Sequence, residues 1–283
     1  MSRLFPTPPH TNTAPPGPSP QAWQHNVHTC PVECLAVNPN TGAVATGGRD
    51  GVICLTSIAG GQVQALLRGH TDVATSLSYC FDGSRLLSSG RDGLLCLWDP
   101  TAVTVGAAAL RTLQLDPAAS ARPSPAVRKS LATRSEGAAE LSPIRVFHDE
   151  GDGVDGIVCC ALNPRGTIAV SAASSGYTSL WDVVTGALLH RVSVSDLATT
   201  SLRFRDDGRH IITGSYDGSV SVIDAENGRV LSTLQGNASA IKSAYFERGG
   251  GFGGKDLTDT NVVSVCSRQS VSWGVWECAL SAE

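Results

Sequence analysis

The run whose spacing comes closest to chemistry is Gly249 through Gly254-Lys255-Asp256, which has the GxxxxGK interval of a loop that cradles phosphates. Such a loop follows its lysine with a Ser or Thr hydroxyl for magnesium. Here Asp256 stands in that place, and its charge opposes a phosphate. The loop must also open a helix, whereas Leu257-Thr258-Asp259-Thr260-Asn261 is polar and leads into the strand-like Val262-Val263-Ser264. The run therefore reads as a hairpin insertion. Nucleophilic catalysis on a sharp elbow needs GxSxG, which the chain lacks. Its seven histidines show no HExxH or other ligand spacing. Cys30 and Cys34 would sit about 13 Å apart along a strand, too far for one ion, and Cys159 and Cys160 would point to opposite faces of theirs. The nine cysteines are odd in number and scattered, unlike a disulfide framework. They are expected to be reduced and mostly buried. No catalytic residue, metal site or cofactor is expected.

What must these residues sit on? Of 283 residues, 41% are hydrophobic and 16% charged, enough apolar surface for one large core. Thirty glycines among many Ser, Thr and Val residues suit short strands and tight turns, so the composition is all-β. A net charge of -4 lacks the electropositive footprint of a nucleic-acid binder, and direct nucleic-acid binding is not expected. No run approaches 18 apolar residues, and Pro6, Pro8 and Pro9 stand where a signal peptide needs an apolar core. The expectation is a cytoplasmic protein, with the nucleus as a second compartment, and no membrane insertion. Residues 1–21 hold seven of the fifteen prolines and read as a disordered Pro-rich tail, with PxxP spacing at Pro6 to Pro9 and Pro15 to Pro18.

From residue 22 to 283 one unit recurs. Its clearest copy begins at Gly69-His70 and runs through Thr75 to Tyr79. It turns at Phe81-Asp82-Gly83, continues as Leu86 to Gly90, turns again at Arg91-Asp92-Gly93 and ends at Trp98-Asp99. That is three short strands with Asp-Gly turns, followed by a looser fourth segment around Ala108 to Leu115. Aligned on His70, the five recognisable units start at 28, 70, 153, 195 and 237, in steps of 42, 83, 42 and 42. The doubled step contains residues 101–147, either a low-complexity insertion or a degenerate blade. Two fragments in it, Leu110 to Leu115 and Ile144 to His148, resemble outer strands. Each unit alone leaves apolar faces bare, so neighbours must stack. Radial stacking implies a β-propeller of four-stranded antiparallel blades, with six blade positions as the preferred count and seven left open. The last unit shows three strands, and Gln21 to Val27 would supply its missing outer strand and remove an open edge.

These units resemble the WD-repeat family, whose repeat runs from a Gly-His pair to a Trp-Asp pair. The resemblance implies a hydrogen-bonded tetrad in each blade. The second unit supplies His70, Ser88, Asp92 and Trp98; the first keeps His28, Thr46 and Asp50 but has Thr56 for Trp. The fourth keeps Thr213 and Asp217 with Ile223 for Trp, and the third keeps Trp181 but has Ser175 at the turn. The resemblance also places the residue before the turn Asp on a partner-binding face, here Arg49, Arg91 and Tyr216. Arg and Tyr are types that dominate interface hot spots. The implied function is a non-catalytic scaffold whose partners are other proteins, including acidic or phosphorylated peptides. The alternatives are a substrate receptor of a ubiquitin ligase, against which the WDxR signature is missing after Asp99 and Asp182, and a protein component of a ribonucleoprotein or ribosome-assembly complex. The insertion adds Arg122, Arg128, Lys129, Arg134 and Arg145 around Ser124-Pro125 and Ser142-Pro143, where phosphorylation would reverse the local charge.

Overall fold

The computed structural model describes residues 27–102, 138–148, 155–235, 237 and 239–246, the backbone of 259–266 and 274–279, and the side chain of Ser264. Five antiparallel sheets follow one another along these residues. The first holds β1 (Val32–Val37), β2 (Ala43–Gly48), β3 (Val52–Ser57) and β4 (Val63–Arg68). The second holds β5 (Ala74–Tyr79), β6 (Leu86–Gly90) and β7 (Leu94–Trp98). Two further strands, β8 (Ala139–Leu141) and β9 (Arg145–His148), come next in the chain and belong to sheets already begun. The third sheet is β10 (Ile157–Leu162), β11 (Ile168–Ala173), β12 (Tyr177–Asp182) and β13 (Leu188–Ser193). The fourth is β14 (Thr199–Phe204), β15 (His210–Ser215), β16 (Val220–Asp224) and β17 (Val230–Leu234). The fifth has three strands, β18 (Ile241–Phe246), β19 (Asp259–Cys266) and β20 (Gly274–Ala279).

Strand character follows position in the sheet. The middle strands β6 and β16 are buried at every residue, and their apolar runs fit a strand covered on both faces. The outer strands β13 and β17 alternate exposed and half-buried residues, the pattern of a strand covered on one face. Between the second and third strands the chain reverses through a glycine at positive φ: Gly51 (71°), Gly93 (76°), Gly176 (85°) and Gly218 (89°). A side chain there would cost about 1–2 kcal/mol.

The core lies between sheets. Leu87, Leu95 and Leu97 of the second sheet pack with Ile157, Cys160 and Leu162 of the third. Ile212, Val220 and Val222 of the fourth pack with Ile241 and Ala244 of the fifth. Each inner strand is thus buried by the sheet before it. In β1 the corresponding residues Val32, Leu35 and Val37 are exposed, Leu35 by 66%. Inner strands also carry a bulge at one shared position, Glu33, Thr75, Val158, Thr200 and Lys242. The bulge turns Thr75 toward the next sheet, where its hydroxyl donates to the Ile157 carbonyl (2.7 Å).

The doubled repeat step contributes strands to two sheets already begun. The described part of residues 101–147 pairs with sheets already counted: β8 lies parallel on β4, and β9 is the outer strand of the second sheet, in register Leu97↔Arg145 to Leu94↔His148. The outer strand of that sheet is therefore β9 rather than a segment around Ala108 to Leu115, which lies outside the described residues. Phe147 of β9 is buried against the Trp181 ring, centroids 5.8 Å apart, so the strand fills the junction to the third sheet. Residues 1–21, the expected closing strand Gln21 to Val27 apart from Val27 itself, Arg122, Arg128, Lys129, Arg134 and the Gly249 to Asp256 run also lie outside the described residues. No helix among the described residues is long and apolar enough to cross a membrane.

Candidate functional site

Among the described residues, the fullest match to the hydrogen-bond order of a nucleophilic relay sits in the second sheet. His70 Nδ1 lies 3.1 Å from both Asp92 oxygens, and His70 Nε2 lies 2.7 Å from Ser88 Oγ. With Asp92 ionised, the imidazole proton belongs on Nδ1, and the Ser88 hydroxyl donates to Nε2. Trp98 Nε1 then donates to Ser88 Oγ at 2.8 Å. A hydrolase needs its serine open to substrate; Ser88 is 0% exposed, and its oxygen already accepts from the indole. The relay stiffens the sheet instead. Burial pushes the Asp92 carboxyl up. The His70 hydrogen bond and charge, with the Thr71 and Leu94 N–H groups, outweigh it and hold the carboxyl below its ordinary value.

Room for that relay comes from a missing side chain. A Cβ on Gly90 would run into His70 Nδ1 and Asp92 Oδ1, and one on Gly48 would lie 2.6 Å from His28 Nδ1 and Asp50 Oδ1. In the first sheet His28 Nε2 meets Thr46 Oγ1 at 2.8 Å and Nδ1 meets Asp50 at 3.3 Å, with no indole to complete the set. The third sheet keeps only the last link, Trp181 Nε1 to Ser171 Oγ at 3.0 Å, and Ser175 has a buried hydroxyl without a hydrogen-bond partner. In the fourth, Thr213 turns to the Ser221 carbonyl (3.3 Å) and takes no part. Two serines that no sequence motif marks do: Ser215 Oγ donates to Ser195 Oγ (2.7 Å), which donates to Asp217 (2.9 Å). In the fifth, Asn237 stands at the histidine position and its Nδ2 reaches Ser264 Oγ at 3.3 Å.

The residues just before the turn converge elsewhere. Arg49, Arg91 and Ser174, the pre-turn residues of three successive sheets, line one recess with the bulge residues Glu33, Thr75 and Val158. Tyr216 does not line it; it is exposed on the fourth sheet. Arg49 Nε is paired with Glu33, a contact arising because the bulge aims Glu33 at the turn. Among the described residues no carboxylate pairs with Arg91.

Among the described residues no three His, Cys, Asp or Glu side chains gather as ligands. Five of the seven described cysteines are buried, Cys30 being exposed and Cys34 half-buried. Burial pushes the Cys34 and Cys96 thiols up to about 12 and Cys160 to about 11, so they stay protonated and inert at neutral pH.

Two family models coincide with these sheets. The one described as WD domain, G-beta repeat, matches residues 21–57 and 61–99, and the one described as Anaphase-promoting complex subunit 4 WD40 domain matches 193–248. Over these stretches the chain is similar to WD-repeat proteins. Its sheets are WD-repeat blades, and the match at 61–99 begins at β4, the outer strand of the preceding blade. Similar proteins include Striatin of Rattus norvegicus, 28% identical over 72% of this chain and 29% of its own length. WD repeat-containing protein 18 of Mus musculus is 27% identical over 69% of this chain and 38% of its own length. Periodic tryptophan protein 2 of Arabidopsis thaliana is 23% identical over 74% and 24%. The chain thus spans well under half the length of these relatives. WD repeats as a family mediate protein–protein interaction.

Proposed function

We propose that this chain is a non-catalytic scaffold in a multiprotein complex, and that the recess around Arg91 grips an acidic or phosphorylated peptide of a partner protein. One observation carries the reading: three successive blades bring Arg49, Arg91 and Ser174 to a single recess in which Arg91 has no carboxylate partner among the described residues. A guanidinium presents a planar fork that takes a carboxylate or phosphate in two parallel hydrogen bonds. Arg49, held by Glu33, shapes the wall rather than supplying free charge. Tyr216 belongs to a second contact on the next blade. The match of residues 193–248 to a model named for a complex subunit agrees with assembly as the role. The cytoplasm, with the nucleus as second compartment, goes with this proposal.

The test is affinity purification of the tagged full chain, with partners identified by mass spectrometry, followed by the same capture with Arg91→Ala and Arg49→Ala. Removing Arg91 is expected to weaken partner capture by about 2 kcal/mol, roughly 30-fold. Removing Arg49 alone is expected to do less. Capture undiminished in the Arg91→Ala protein overturns the recess as the gripping site, and a chain that recovers no partner overturns the scaffold.

A further inference from the structure

The first blade differs from the others in having a fifth strand. Blades two, three and four end at β9, β13 and β17, but the outer edge of β4 carries β8, paired in parallel as Ala65↔Ala139, Leu66↔Glu140 and Leu67↔Leu141. The repeat does not supply this strand. It comes from the stretch between β7 and β9, and only Ser142, Pro143 and Ile144 separate β8 on the first blade from β9 on the second.

Its attachment has a recognisable chemistry. Ala139 and Leu141 are half-buried against the apolar cluster that contains Ala65, Leu67 and Trp98. Between them, Glu140 points the other way and accepts from Arg68 Nε at 2.9 Å. The edge therefore reads an extended segment in three ways at once. Its main-chain groups pair with the backbone, its apolar surface takes the residues on either side, and Arg68 takes an acidic residue at the centre. The hold is slight for a chain segment: three paired residues, with Glu140 67% exposed on its solvent side.

We propose that the outer edge of β4 is a strand-addition site for a partner protein, occupied in cis by β8. The partner segment is extended, of apolar–acidic–apolar order, and adds parallel to β4 after displacing Ala139–Leu141. Because β8 runs into β9 through three residues, displacement pulls on the second blade at Pro143, which packs beside Gly69 and the Trp98 ring. This surface lies on the blade rim and is independent of the Arg91 recess.

A labelled synthetic peptide of residues 136–144 serves as the probe in fluorescence anisotropy. Against the unaltered full chain it competes with β8 and binds weakly. Against a chain with 139–141 replaced by Gly-Ser-Gly, binding is expected to be at least tenfold tighter. Arg68→Glu in that background abolishes it, and a peptide with Arg at the central position recovers it. Glu140→Arg, a change on an exposed side chain, is the second variant should the glycine replacement fail to fold. It is expected to speed hydrogen exchange in residues 63–68 and to admit the peptide. Equal binding to altered and unaltered chains, or indifference to the Arg68 charge, overturns the proposal. So does unchanged exchange across 63–68 in Glu140→Arg.

Discussion

In the second blade an imidazole, a hydroxyl and an indole occupy the space between the turn carboxylate and the third strand, whereas in the fourth two serines do the work near the turn and Ile223 fills the far end. The second blade's arrangement is longer. Its histidine spans from Asp92 to Ser88, and the serine passes the link to Trp98, so one chain of hydrogen bonds ties the entry loop, the turn and two strands. In the fourth, the chain ends at Ser215, and Thr213 bonds its neighbour strand instead. The choice is coupled to one position. Blades with His28 or His70 have Gly48 or Gly90 two residues before the turn Asp, where a Cβ would meet the ring. The fourth blade has Ser215 there, and a small Ser195 in place of His. A ring at the first position and a side chain at the second thus compete for one space.

The comparison is broken hardest by removing what the second blade has and the fourth lacks. Trp98 is fully buried and belongs to the apolar cluster of the first junction, and Trp98→Ala is expected to cost about 3–5 kcal/mol. At this chain length that lowers the melting midpoint by on the order of 10 °C, read by circular dichroism. Next comes Ser88→Ala, which leaves the indole N–H and the imidazole Nε2 each without a buried partner, for about 2–3 kcal/mol. Thr213→Val at the same position of the fourth blade loses one bond to a carbonyl that also serves the ladder, about 1 kcal/mol. Equal losses at 88 and 213 would mean that the relay contributes nothing beyond its local bonds.

How far this is legible in the residues depends on which atoms do the pairing. The Asp-Gly turns and the apolar runs Leu86-Leu87 and Leu94 to Trp98 mark their strands because turn geometry and burial select side chains. The outer strand Arg145–His148 carries a weaker mark, lying far from the blade it completes. Ala139–Leu141 carries almost none, since three residues joined by main-chain bonds leave little trace in side-chain type. At the recess, Arg49 and Arg91 are recognisable from their place before the turn. Glu33 is not, because a bulge, which no residue type announces, turns it toward Arg49. Ser195 and Ser215 escape notice because serine at a histidine or a glycine position looks like loss until its hydroxyl is placed.

A smaller effect separates the blades in acid. Burial raises the Asp92 carboxyl, His70 and the neighbouring N–H groups lower it by more, and the net is a value below the ordinary 3.8. A carboxyl depressed in the folded state contributes stability above its unfolded value, and that contribution is lost as pH falls through the folded one. Asp217 is depressed as well. Burial raises it and Ser219, Ser195 and Ser215 lower it, with no imidazole charge involved. Chemical denaturation below about pH 4 is therefore expected to lose stability in the unaltered chain, and Asp92→Asn flattens that slope more than Asp217→Asn. A steeper slope in Asp92→Asn would count against the imidazole as the source.

The most discriminating effect is an interaction energy, because it moves one blade's solution into the other. Ser195→His alone sets a ring against Ser215, as a Cβ at Gly90 would meet His70, and is expected to destabilise by about 1–3 kcal/mol through overpacking. Ser215→Gly alone removes the Ser215–Ser195 link, for about 1 kcal/mol. Together they rebuild His–Thr–Asp with Thr213 and Asp217, as in the first blade, and the double variant is expected to be more stable than the two losses added. The interaction energy of that cycle is on the order of 1 kcal/mol, read from urea midpoints of the four proteins. Additive losses would show that glycine at this position answers the turn's backbone rather than the ring, and that the two blades differ by separate changes.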